Sequence, residues 1–205
     1  MRLGRITVTG GFFVMAALFT LFDRNGFVPF VILAALVHEL GHFIAIYAMG
    51  GRVLRLHLGL VGLRIDYEGR RIGYLGEVII ALAGPFVNLA FAYGVSLLGQ
   101  HMGGEAAFFL AGINFGAALF NLLPIYQLDG GRALYCILAL VTDSERAGRV
   151  LCVTSCVAIF ALLVAGAFLF LWSAWNFTLL AAAIWLLVSY CKNGGNAVKY
   201  AVTEY

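Results

Sequence analysis

Six apolar segments, at residues 6–22, 26–49, 77–98, 105–123, 150–172 and 175–191, fill most of the chain, and the charged residues fall in short islands between them. A helix crossing a bilayer needs about 20 apolar residues, within a range of about 17 to 25. In hydrocarbon every backbone N–H and C=O must be paired within the protein, so runs of this length read as membrane helices. The composition agrees: 63% of the residues are hydrophobic and 11% are charged, whereas soluble domains carry about 25% charged residues. A seventh apolar run, 133–141, is too short to cross and reads as a re-entrant or interfacial helix. The expected class is an all-α polytopic membrane protein with about six transmembrane helices. Three prolines and no low-complexity tract leave no sign of a linker, so residues 1–205 are expected to form a single membrane-embedded domain.

Charge placement gives an orientation. With six spans, twelve of the thirteen Lys and Arg residues fall on the side that holds both termini, and only Arg24 falls opposite. The positive-inside rule then predicts a multi-pass protein of the cell membrane with both termini cytoplasmic. Met1-Arg2-Leu3-Gly4-Arg5 before an apolar run resembles a signal peptide. No small-x-small cleavage site follows, and the run reads as a retained first span, the shortest of the six. No basic cluster calls for nucleic acid. The four cysteines form no Cys-x-x-Cys pair and suggest no metal site.

The stretch between the second and third spans has a different period. Leu54, Leu56, Leu58 and Leu60 alternate with Arg55, His57 and Gly59. Beyond Gly62 the phase flips, and Leu63, Ile65 and Tyr67 alternate with Arg64, Asp66 and Glu68. Period-2 alternation with a flip at glycines predicts two strands joined by a hairpin turn or bulge. A small membrane-associated sheet is therefore expected at about 53–74, on the cytoplasmic face. Further along, Thr142-Asp143-Ser144-Glu145 reads as a capping box with Thr142 as N-cap.

Chemistry concentrates in the second segment, in His38-Glu39-Leu40-Gly41-His42. On a helix, positions i and i+4 share a face, so both imidazoles can bind one Zn²⁺. Glu39 is then free to act as acid and base on the attacking water and the leaving amine. Ionisable residues at the centre of a membrane helix each cost about 2.5 to 3.5 kcal/mol on insertion scales, which argues against a chance match. Counted from the cytoplasmic end of the segment at a rise of 1.5 Å per residue, His42 lies about 12 Å deep. A catalytic zinc usually takes three protein ligands. His57 and His101 are candidates, but Asp129 is better placed: Pro124 breaks the preceding helix and Gly130-Gly131 let the chain turn back to the depth of the metal. Capping of the helix that follows is the alternative role for Asp129.

His38-Glu39-Leu40-Gly41-His42, Asn121-x-x-Pro124-x-x-x-Leu128-Asp129-Gly130 and Gly84-Pro85-x-x-Asn88 together resemble the site-2 protease family of intramembrane zinc metalloproteases. Within it the pattern is most similar to the sporulation sigma-factor-processing branch. The motifs span an active-site core at 38–131. The resemblance implies His38, His42 and Asp129 as zinc ligands, Glu39 as the catalytic acid/base, and Asn121, Pro124 and Asn88 as residues near the substrate. For Asn121 and Asn88 the alternative is pairing with backbone carbonyls freed beside Pro124 and Pro85. The pattern has no PDZ-like insertion and no expected CBS pair. The expected partners are a membrane protein or membrane-associated peptide substrate, together with a membrane adaptor or inhibitor. A metal or proton transporter would need further ionisable residues toward the outer face, which are few; a catalytically silent scaffold would not need the complete motif.

Overall fold

The computed structural model describes residues 2–3, 6–8, 26–59, 62–69, 72–102, 104–172 and 177–203. Among them are four strands, β1 (Arg2–Leu3), β2 (Ile6–Val8), β3 (Arg52–Gly59) and β4 (Gly62–Glu68), and six helices. The helices are α1 (Val28–Ala48), α2 (Tyr74–Met102), α3 (Glu105–Asn121), α4 (Asp129–Val141), α5 (Ser144–Trp172) and α6 (Thr178–Thr203). Three of these, α1, α2 as far as His101, and α5, are long and apolar enough to cross a membrane, while Glu105–Asn121 and Thr178–Lys192 are shorter apolar helices. The chain divides into two compact units, one of Met1–Gly76 with Ala83–Leu119, the other of Glu77–Leu82 with Phe120–Tyr205.

In the first unit the sheet runs in the order β1-β2-β3-β4. β3 and β4 form the expected antiparallel hairpin, closing at Gly59 opposite Gly62. A register shift between Val53 and Arg55 leaves Leu54 as a bulge. His57 and Asp66 meet across the pair at 2.9 Å. Two features correct the sequence reading. The sheet is not confined to 53–74, because β2 pairs parallel with β3, Ile6 opposite Leu56. The expected first span therefore does not begin at Ile6; the rest of that segment, 9–25, lies outside the described residues. The reason is local: Ile6-Thr7-Val8 is a β-branched run, which favours a pleated strand, and an apolar run alone does not tell the two states apart.

α1 buries Ala34, His38, Gly41 and Ala45, the single stripe expected of residues four and three apart. Its opposite side, with Leu33, Leu36, Leu40, Ile44 and Tyr47, is exposed, as suits a lipid-facing surface. It ends in a Schellman motif: Gly50, at φ +75°, donates its N–H to Tyr47 O at 3.0 Å, and Gly51 donates to Ile46 O at 2.8 Å.

In the second unit a core of Ile125, Ile159 and Leu186 is covered by Phe120, Leu123, Leu128, Leu162, Leu163 and Trp185. α5 and α6 approach closely at Gly166, where a Cβ would stand 2.8 Å from Leu180 Cα. The N-cap of α5 is Asp143, one residue beyond the expected Thr142. Asp143 Oδ1 accepts the Arg146 N–H at 2.7 Å, whereas the Thr142 hydroxyl turns back to donate to Leu138 O at 2.8 Å. Thr142 thus closes α4, and the carboxylate, a stronger acceptor, takes the cap.

Candidate active site

The site is built first from one face of α1. His38 is buried, at 8% exposure, and His42, one turn on, is half-buried, as is Glu39. The two imidazole Nε2 atoms lie 3.1 Å apart and the rings are edge to face. Two nitrogens bound to one tetrahedral zinc at about 2.0 to 2.1 Å would be about 3.3 Å apart, so the pair is already close to ligand geometry.

Two glycines bring α2 onto this face. A Cβ on Gly41 would lie 2.6 Å from Ala83 O and 3.0 Å from Gly84 Cα, so the helices meet backbone to backbone. A Cβ on Gly84 would strike His42 Nε2 and stand 2.9 Å from His38 Cε1. Gly84 is therefore the floor of the histidine pair, and any side chain there would fill the space a metal needs. Asn88, one turn further along α2, is fully buried. Neither Oδ1 nor Nδ2 has a hydrogen-bond partner among the described residues. The alternative in which Asn88 satisfies a carbonyl freed by Pro85 is therefore not what the fold shows.

Asp129 comes from the second unit. α3 ends at Asn121, and 122–128 run as irregular backbone to α4, whose first residue is Asp129. Pro124 forces the break, and internal bonds hold the loop: Ile125 N–H to Leu123 O at 2.8 Å and Leu128 N–H to Ile125 O at 2.8 Å. The buried Ser155 of α5 accepts the Tyr126 N–H at 3.0 Å and donates to Pro124 O at 3.5 Å. Gln127 donates to Leu186 O at 3.3 Å. Gly130 and Gly131 pack on the loop itself, where Cβ atoms would stand 2.7 Å from Leu123 O and 2.9 Å from Tyr126 N. Irregular backbone within a membrane protein is tolerable only with such partners.

His38, His42 and Asp129 form one group: each offers a ligand atom, and these atoms lie within 4.8 Å of one another. Two imidazoles and a carboxylate are a catalytic zinc donor set, and with the glycine floor they fit the ion. Of the other sequence candidates, His57 is engaged with Asp66 in the sheet, and His101 lies at the far end of α2. Sequence reasoning did not single out Gly84 as the floor, Ser155 as the loop's anchor, or the ion pair between Glu77 and Arg132. The lone acid at the start of an apolar segment and the arginine three residues after Asp129 were the available signals for that pair.

Residues 104–165 match the model of peptidase family M50. A Synechocystis sp. protein named "Putative zinc metalloprotease" is 34% identical over 120 residues, 56% of this chain and 32% of that protein. A second relative, Stage IV sporulation protein FB of Bacillus subtilis, is 28% identical over 127 residues, 58% of this chain and 42% of its own length. The chain thus matches less than half the length of each of these relatives. Among solved structures, the site-2 protease from Methanocaldococcus jannaschii shares the fold, with a TM-score of 0.66 at 20% identity over 91% of this chain and 89% of that one. The chain itself is a membrane protein, in keeping with its apolar helices.

Proposed function

We propose that this chain is a zinc metallopeptidase of the M50 kind that hydrolyses a peptide bond in or near the membrane segment of a protein or membrane-associated peptide. The grouping of His38, His42 and Asp129 carries the reading, with Glu39 next to His38 on the same membrane helix. The three would hold the ion. Bound zinc supplies a Lewis acid that polarises a peptide carbonyl and makes water nucleophilic near neutral pH.

Glu39 takes the proton from the attacking water and delivers it to the departing amide nitrogen. A helical substrate hides its carbonyls in backbone hydrogen bonds, so it must unwind locally. An extended stretch would pair by strand addition with β4, one of the two edge strands of the sheet among the described residues. Asn88, whose buried amide atoms have no hydrogen-bond partner among the described residues, would bind such a backbone, and Asn121 and Pro124 would serve the substrate likewise. The multi-pass arrangement with both termini cytoplasmic follows from the charge asymmetry and is part of this proposal, as is a membrane adaptor or inhibitor acting on the enzyme.

The test is cleavage of a membrane-anchored reporter peptide in zinc-loaded proteoliposomes, with bound zinc and zinc flux measured alongside. Glu39→Gln should abolish cleavage and keep zinc; His38→Ala should lose both. Cleavage retained by Glu39→Gln sinks the assignment, and zinc flux without cleavage would turn it to transport.

A further inference from the structure

Glu77 is the one acidic residue in the first turn of α2, and it is 5% exposed. A carboxylate that buried demands a partner, and Arg132 supplies it: Arg132 Nη2 donates to Glu77 Oε2. Arg132 lies three residues after Asp129 in the first turn of α4, and residues at i and i+3 are neighbours on a helix surface. The same turn is fixed on its other side by the loop. Gly130 and Gly131 leave no room for a Cβ against the carbonyls of Leu122 and Ile125, and the Arg132 N–H donates to Leu128 O at 3.1 Å.

Translation of this turn toward the loop is therefore blocked by backbone contact. What is left is rotation of α4 about its own axis, which would swing the Asp129 side chain, and the guanidinium held by a buried carboxylate opposes that rotation. The planar fork of an arginine suits this task, since it fixes an orientation as well as a distance. The pair is buried on the Glu77 side only, with the Arg132 side chain 42% exposed, and a pair with a desolvated partner is a poor source of net stability and a good source of geometry.

Resting on the proposed function above, we infer that Glu77 and Arg132 are positioning residues for Asp129: they set the carboxylate's direction and so the strength with which zinc is held. Removing an outer partner of a metal ligand typically lowers metal affinity by about 10- to 100-fold. The experiment uses the full chain in detergent with zinc alone as probe. Zinc affinity is measured by competition with a chromophoric chelator at a temperature where circular dichroism shows every variant folded, and the melting temperature of the zinc-free protein is recorded in parallel. Arg132→Gln and Glu77→Gln should each weaken zinc binding at least about tenfold, and Arg132→Lys, which keeps the charge but loses the fork, should fall between them and the wild type.

If the pair were a structural brace only, the zinc-free melting temperature would drop while zinc affinity stayed within twofold of wild type, and the inference would be overturned. Should Arg132→Gln not fold, Glu77→Gln and Arg132→Lys carry the same comparison. Wild-type protein that binds no zinc, or a His38→Ala variant that binds it normally, defeats the parent reading instead.

Discussion

Gly84→Ala is the smallest perturbation that reaches the histidine pair without touching a proposed ligand. Mid-helix glycine is worse than alanine by about 1 kcal/mol, so in open space this substitution should stabilise. At Gly84 the new methyl would strike His42 Nε2 and stand 2.7 Å from His42 Cε1 and 2.9 Å from His38 Cε1. Ordinary contact begins at 3.4 Å, so the rings must retreat by at least about 0.5 Å, or α1 and α2 must part. The helices have little freedom to part, because Gly41 already meets the Ala83 carbonyl. Overpacking of this kind costs about 1 to 3 kcal/mol, which offsets the propensity gain and leaves a stability change of about 0 to 2 kcal/mol. The larger effect falls on chemistry, since displacements approaching 1 Å at a reacting centre cost about 100-fold in rate. Gly94, Gly112 and Gly116 have nothing within 4 Å of a built Cβ, and alanine at each is the matched control. Reporter cleavage in proteoliposomes and zinc content are the assays. A Gly84→Ala protein that cleaves and holds zinc as well as Gly94→Ala does would refute the role of Gly84 as the floor of the site.

Ser155→Ala removes the hydroxyl that accepts the Tyr126 N–H and donates to Pro124 O, and should cost about 1 to 3 kcal/mol. A chain of this length would then melt several degrees lower, and an unchanged melting curve would show the loop is held by other means. Asn88→Ala should cost less than about 1 kcal/mol, because no protein hydrogen bond is lost, yet slow cleavage at subsaturating substrate; a large stability loss with normal kinetics would make Asn88 structural. Asp143→Ala should destabilise α5 by about 1 kcal/mol through loss of its cap and leave zinc binding intact, whereas Thr142→Val should do less to the α5 end. The reverse order in thermal melts would restore Thr142 as the cap.

Much of the site was legible because its signals are local. His38 and His42 needed only helical spacing, and α1 runs over nearly the segment that apolar length marks out. Pro124, Asp129 and the two glycines announced a break and a return of the chain before any partner was known. The β3–β4 hairpin was written in a period of two with a flip between glycines. Hidden were the pairings that depend on what arrives from elsewhere. Ile6-Thr7-Val8 is apolar enough to begin a helix, and only the presence of β3 beside it makes it a strand. Thr142 and Asp143 both qualify as caps, and the choice turned on which side chain the end of α4 had already engaged.

The histidine motif shows the same division. By itself the sequence determined that two imidazoles and a carboxylate share a helix inside an apolar segment, since a period of 3.6 residues fixes a face without reference to any neighbour. Only the tertiary structure decided that Gly84 floors that face, that Asn88 keeps its amide without a partner among the described residues, and that Arg132, three residues after Asp129, answers a buried Glu77. The contacts of Gly84 with the histidines and of Arg132 with Glu77 join residues 42 to 55 positions apart, and contact at that range is set by packing, which no local pattern encodes.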